Sequence, residues 1–198
     1  QLQNKGYAIV PNLYSQEEVN AMINCIENIH QEGHSFMKTR DVYAIRQLLK
    51  NVPELPELLF NDNLNALLKD LSEETYFLTK AIYFDKPRTS NWFVAYHQDL
   101  SISVDQKADL EHYSNWTFKK GQYGVQPPLK ILQDTITLRI HLDDTDQHNG
   151  ALKVIPQSHL QGIIRIDSND KQRRVIHLEF NKHQLETPLE WMEYCEVG

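Results

Sequence analysis

Cysteine is scarce in this chain. Cys25 and Cys195 are the only two among 198 residues, and they lie far apart. That excludes a disulfide-stapled scaffold and a cysteine-rich zinc site, and two free thiols suit a reducing cytoplasm. No apolar run approaches the roughly 20 residues of a membrane span. No basic, apolar and small-residue succession opens the chain as a secretory leader does. It begins at Gln1 rather than Met, so residues upstream are expected. Basic residues are outnumbered, 20 Lys and Arg against 27 Asp and Glu, for a net charge of −7. The basic face needed for non-specific nucleic-acid binding is therefore not expected. Internal repeats and low-complexity tracts are also missing. The rest is ordinary for one soluble domain with its own core: 40% hydrophobic and 24% charged residues.

The periodicity changes along the chain. Tyr7–Val10 reads as a short strand before Pro11. Ser15-Gln16-Glu17-Glu18 forms a capping box with acidic residues in the first turn. Val19, Met22, Ile23, Ile26 and Ile29 follow at helical spacing, and Gly33 ends that helix. The leucines from Pro53 to Leu71 suggest two short helices broken near Asn61-Asp62-Asn63. Strand patterns then cover Tyr76–Asp85, Trp92–Gln98, Thr135–Leu142 and Ala151–Ile155, with a hairpin signal at Asn149-Gly150. Leu160–Ile166 and Arg174–Phe180 read as further strands. Helices first and antiparallel strands after predict an α+β fold, closed as a double-stranded β-helix of the jelly-roll kind. Ser101–Leu132 reads as one long aromatic loop, which at this length is usually functional. Placed directly after Asp99, it suits a mobile lid.

The chemistry concentrates at Phe93-Val94-Ala95-Tyr96-His97-Gln98-Asp99-Leu100. On an extended chain residues i and i+2 share a side, so His97 and Asp99 can grip one metal while Gln98 faces away. With a third His they make the 2-His-1-carboxylate set of non-haem Fe(II) oxygenases. An His-x-Asp alone is a weak signal. A second one, His141-Leu142-Asp143, stands nearby, and either can be a polar pair without metal.

The context is more specific. Asp85-Lys86-Pro87, Asn91-Trp92 and Tyr96-His97-Gln98-Asp99 resemble the first metal-binding strand of the phytanoyl-CoA dioxygenase family. Thr137 to Asp144, followed by Asn149-Gly150-Ala151-Leu152-Lys153-Val154-Ile155-Pro156-Gln157-Ser158-His159, resembles its next two core strands. Gly6-Tyr7-Ala8-Ile9-Val10-Pro11 and the Glu17-Glu18-Val19 helix also fit, so the resemblance spans nearly the whole chain.

The resemblance implies an Fe(II)/2-oxoglutarate-dependent dioxygenase that hydroxylates a small organic substrate and converts 2-oxoglutarate and O2 to succinate and CO2. It implies His97 and Asp99 as metal ligands. An Asp at 99, where halogenating relatives carry a small residue, points to hydroxylation. Ile82 and Lys86 match positions around the co-substrate. Arg139 matches a co-substrate position that usually carries Trp or Gln, and Arg46 falls near a basic pocket residue. Taken by itself, an Arg between Leu138 and Ile140 that faces a barrel lumen needs an anion. The family's third ligand, a His, and the Arg for the far carboxylate of 2-oxoglutarate are expected on strands after Gly198. Residues 1–198 then read as a single oxygenase domain lacking its C-terminal core strands. His177 and His183 come too early to match the third ligand. With His30, His34, His112 and His148 they read as surface or structural, whereas His141 reads as a pocket residue. The expected partner is a small molecule, with no nucleic acid and no membrane, in the cytoplasm. Two other readings stay open: an inactive jelly-roll binding protein, and a cupin-like metalloenzyme that uses no 2-oxo acid.

Overall fold

The reciprocal bonds of a capping box start the first long helix. Glu18 N–H donates to Ser15 Oγ at 3.2 Å and Ser15 N–H donates to Glu18 Oε2 at 2.7 Å. The structure, a computed structural model, describes residues 2–29, 36–38, 43–85, 96–119, 121–146, 151–163 and 174–197. After a single turn, α1 (Leu2–Lys5), the capped helix is α2 (Gln16–Glu27). Three further helices precede the main strands: α3 (Leu48–Asn51), α4 (Leu55–Leu59) and α5 (Asp62–Leu71). The break between α4 and α5 falls where the Asn-Asp-Asn run places it, because the Asn61 side chain caps α5 by accepting from Leu64 N–H at 2.9 Å. None of the described helices is long and apolar enough to cross a membrane.

The strands are β1 (Phe36–Lys38), β2 (Tyr43–Arg46), β3 (Phe77–Asp85), β4 (Ile102–Val104), β5 (Ser114–Lys119) and β6 (Gln122–Gln126), then β7 (Ile136–His141), β8 (Arg174–Asn181) and β9 (Cys195–Glu196). A short helix, α6 (Leu129–Gln133), leads into β7. The first sheet is antiparallel in the order β1-β2-β3-β8-β7, with β9 beside the start of β3. The second has the order β4-β6-β5.

Register divides the first sheet into two faces, because directly opposed residues point the same way and neighbours along a strand point opposite ways. The row Ile45–Tyr83–Ile176–Ile140 and the residues Ala81, Leu178, Leu78 and Phe180 lie on one face. All but Ala81 and Tyr83 are large aliphatics or Phe, and all join a core with Met22, Ile26, Leu48, Leu55, Leu59, Leu64 and Leu68 of the helices. Each such fully buried side chain contributes about 1.5–3 kcal/mol. The opposite face carries the row Arg46–Ile82–His177–Arg139 and, one step along, Lys80–Glu179–Thr137.

Three expectations from the pattern are corrected. Ser101–Leu132 is not a loop: it forms β4, β5, β6 and the start of α6. Ile102, Val104, Tyr113, Val125 and Ile131 there build a second core with Phe77, Leu189 and Trp191, so the segment is a packed layer rather than a mobile lid. Tyr7–Val10 and Ala151–Ile155 form no strand. Ala151 N–H turns back to Asp146 O at 3.0 Å, and Leu152, Val154 and Ile155 are left exposed. Ser158–Leu160 is a single 3-10 turn. Asn91, Trp92 and Asn149-Gly150 lie outside the described residues.

Candidate metal and co-substrate site

Of the expected strand Trp92–Gln98, residues 92–95 lie outside the described residues and Tyr96, His97 and Gln98 are in no strand, yet the side chains of His97 and Asp99 converge. His97 Nε2 lies 3.4 Å from Asp99 Oδ1. Gln98 points elsewhere and donates to Gly162 O at 2.8 Å, so the alternation expected of the motif holds. The His97 hydrogen bond, then the nearby charges of His177, Lys80 and His97, outweigh burial and hold the Asp99 carboxyl well below the usual range.

Asp99 meets the first sheet at β8. Donor atoms of Asp99, His177 and Glu179 all lie within 4.8 Å of one another. Both Glu179 oxygens accept from Lys80 Nζ at 2.8 Å, and Glu179 Oε1 also pairs with His177 Nε2 at 2.9 Å. Burial alone would raise the Glu179 pKa, but His177 and Lys80 reverse the direction and lower it. A carboxylate only accepts, so His177 donates from Nε2, which leaves Nδ1 as its second ring nitrogen. That Nδ1 is buried and has no hydrogen-bond partner.

His177 is therefore not a surface residue; it is 5% exposed and lies in the site. Sequence reading passed over it because His-Leu-Glu on β8 is set against Asp99 only by the β3–β8 and β7–β8 registers. A His-x-Glu inside a strand pattern was the available signal. His141, by contrast, is exposed, and its Nδ1 lies 3.0 Å from Thr145 Oγ1. His183 pairs with Asp134 at 2.6 Å, away from the cluster.

Asp99 and Glu179 line a cleft of about 310 Å3 with Ser101, Thr135, Thr137 and His159. Its rim joins the N-terminal turn to the 3-10 turn at Ser158–Leu160. His159 Nε2 donates to Gln3 O at 3.1 Å, and Gln157 N–H donates to Lys5 O at 2.9 Å. Gly6, at φ +80°, leaves no room for a Cβ against the His159 ring.

Of the expected co-substrate residues, Arg46, Ile82 and Arg139 share one cross-strand row with His177, and Lys86 lies outside the described residues. Both guanidinium groups are unusual. Arg46 Nη1 and Arg139 Nη1 are buried without a hydrogen-bond partner. Burial lowers both pKa values, and only Arg139 also feels Asp99 and Glu179, which act to raise its own.

The site fits a divalent metal on its donor set. Metal–ligand bonds near 2.1 Å put donor atoms about 3–4 Å apart, and the Asp99–His177–Glu179 separations approach that. His97 adds a second imidazole beside Asp99.

The fold is shared with a protein solved with nickel and 2-oxoglutarate bound. HygX from Streptomyces hygroscopicus, solved with nickel, 2-oxoglutarate and hygromycin B, aligns at a TM-score of 0.59 and 13% identity over 100% of this chain and 93% of that one. The same protein with nickel and 2-oxoglutarate alone gives 0.56 and 12%, over 100% and 94%. The chain belongs to the phytanoyl-CoA dioxygenase family, whose model matches residues 2–191. A curated relative is a probable alpha-ketoglutarate-dependent hypophosphite dioxygenase from Stutzerimonas stutzeri. It is 24% identical over 163 residues, which are 79% of this chain and 50% of that protein. The chain thus spans about half the length of the curated relative it matches.

Proposed function

We propose that this chain is an Fe(II)/2-oxoglutarate-dependent dioxygenase that hydroxylates a small organic substrate, built on a double-stranded β-helix whose two sheets are those described above. Membership of the family supports this reading. The observation that carries it is the convergence of Asp99 with His177 and Glu179 beside His97 under one cleft.

His97, Asp99 and His177 would hold the metal, two imidazoles and one carboxylate, leaving positions open for co-substrate and O2. His177 takes the part expected of a His after Gly198. Glu179, fixed by Lys80, orients the His177 ring, as outer carboxylates do for metal-bound histidines. When bound, iron with 2-oxoglutarate and O2 supplies the oxidising chemistry, and succinate and CO2 are the co-products. Arg139 and Ile82, flanking His177, would line the co-substrate; Lys86, proposed for the same role, lies outside the described residues. Thr135 and Thr137 give the cleft wall hydroxyls for polar contacts. A cytoplasmic location suits the two free thiols.

Anaerobic titration with Fe(II) and 2-oxoglutarate, followed by succinate measurement in air, tests the reading. One metal per chain, lost in Asp99→Ala and His177→Ala, is the expected result. Metal binding without 2-oxoglutarate binding would favour the cupin-like alternative, and binding of neither would favour an inactive binding protein. Undiminished metal affinity in His177→Ala would remove His177 from the metal set.

A further inference from the structure

The cleft beside the metal cluster presents hydroxyls that the protein itself does not use. Ser101, Thr137 and Ser158 line it from three directions: the chain just after Asp99, strand β7, and the 3-10 turn on the rim. None of these hydroxyls makes a hydrogen bond among the described residues. Thr135 is the contrast. It lines the same cleft, but its hydroxyl donates to Ile131 O at 2.8 Å and accepts from Asn181 Nδ2 at 3.0 Å. Thr137 and Ser101 are also fixed against the cluster. Thr137 stands opposite Glu179 in the β7–β8 register. The Ser101 carbonyl accepts from Lys80 Nζ at 3.4 Å, the same ammonium that holds Glu179. Ile102 and Leu132 add an apolar wall.

The fixed charge in the cleft has one sign. Asp99 and Glu179 line it, and among the described residues no Lys or Arg does. Lys80 is committed to Glu179, and Arg139 opposes His177 outside the lining. An acid group placed here would lose water beside carboxylates with no cation to receive it, which is strongly disfavoured. A hydroxyl carries no charge to desolvate, and it both donates and accepts, as Ser and Thr do. At about 310 Å3 the cleft is at the small end of ligand sites, roughly 300–1,000 Å3. Resting on the function proposed above, we propose that the primary substrate is a small polyhydroxy compound without an acid group. Ser101 and Thr137 hold it beside the metal, Ser158 meets it at the rim, and its C–H face lies on Ile102 and Leu132.

The test uses the full chain with 2-oxoglutarate and Zn(II), which fills the site without turnover. Ligand-observed NMR compares three neutral probes, glucose, myo-inositol and glycerol, with two acidic ones, gluconate and glucose 6-phosphate. The expected result is that at least one neutral probe binds and that both acids bind at least tenfold more weakly than it. Thr137→Val and Ser101→Ala should each weaken the neutral probe by about three- to tenfold, whereas Thr137→Ser keeps its affinity. Tm should stay level in Thr137→Val and Ser101→Ala, because these hydroxyls make no bond within the protein. An acid that binds as tightly as the neutral probe, no binding of any neutral probe, or unchanged affinity in either variant would overturn the proposal. Equal losses in Thr137→Ser and Thr137→Val would trace the effect to shape rather than to the hydroxyl, and would overturn it too. If 2-oxoglutarate fails to bind, the dioxygenase reading falls; the neutral and acidic probes are then compared on the chain alone, and that comparison still decides the class of ligand.

Discussion

Both carboxylate oxygens of Glu179 lie 2.8 Å from the ammonium nitrogen of Lys80. Glu179 is almost wholly buried and Lys80 nearly so, so the pair is isolated from water as exposed pairs are not. Removing one partner strands a buried charge, which costs roughly 3–5 kcal/mol. Lys80→Met should therefore lower unfolding stability by that order in urea titrations. The double change Lys80→Met with Glu179→Leu should recover much of the loss. If the single change costs under about 1 kcal/mol, solvent reaches Glu179 and the pair is an ordinary surface one.

His97 and Asp99 should behave differently. Their side chains are half exposed, so His97→Ala should alter stability by no more than about 0.5 kcal/mol, and Asp99→Ala, which also removes the attraction of His177 and Lys80, should cost more than that while the chain stays folded. Succinate formation from 2-oxoglutarate should vanish in both. Undiminished turnover in either variant would remove that residue from the metal set.

Glu193 predicts a pH dependence of stability. Its Oε2 accepts from Ala81 N–H at 2.8 Å in the gap that β2 and β9 leave along β3. Its other oxygen is buried without a partner. Burial is the main reason that its pKa is pushed up to about 7. The Ala81 bond and the charges of Lys80 and Lys50 oppose this, and Glu179 adds to it. The folded chain then holds this proton more tightly than the unfolded one. The stabilisation is full below the ordinary pKa of 4.5 and is lost as pH rises to about 7. Unfolding free energy should fall by roughly 3 kcal/mol across that window. Glu193→Gln should flatten the profile between those limits. A wild-type profile that is flat or rising there would refute the assignment.

Asn181 ties the two cores together. It is fully buried and donates to Ile131 O and Thr135 Oγ1, each at 3.0 Å. Its Oδ1 accepts from Lys182 and His183 N–H, each at 2.8 Å. Asn181→Leu strands these groups and should cost more than about 2 kcal/mol. Hydrogen exchange at Ile102, Val104 and Val125 should show protection in the wild type, as a packed layer requires, and partial loss of it in the variant. Fast exchange of those amides in the wild type would reinstate a mobile lid.

Local signals in the sequence were legible where the cause is local. Ser15 and Glu18, or Asn61 and Leu64, cap helices within a few residues of themselves. β3, β7 and β8 follow from apolar alternation, and the convergence of His97 and Asp99 from spacing. Pairings over long distance were not legible. Nothing near His177 announces that β8 inserts between β3 and β7 and sets that ring against Asp99. The Ala151–Ile155 pattern misled for a related reason: alternation marks a strand only if an open edge receives it, and here the backbone turns back onto Asp146. Ser101–Leu132 hid its strands because much of β5 is solvated and lacks a clean apolar period.

The position of β8 also sets an order of assembly. Thr79 and Glu179, bonded across β3 and β8, are 100 residues apart, and among the described residues β7 joins the sheet only through β8. During synthesis β3 must wait, its apolar side covered by helices and its other edge open, until the residues through β8 have left the ribosome. Such distant pairing folds slowly, and the waiting edge is a place for wrong partners to bind. Nascent chains released before Asn181 should be prone to aggregation, whereas those extending past Asn181 carry the strand that pairs with both β3 and β7.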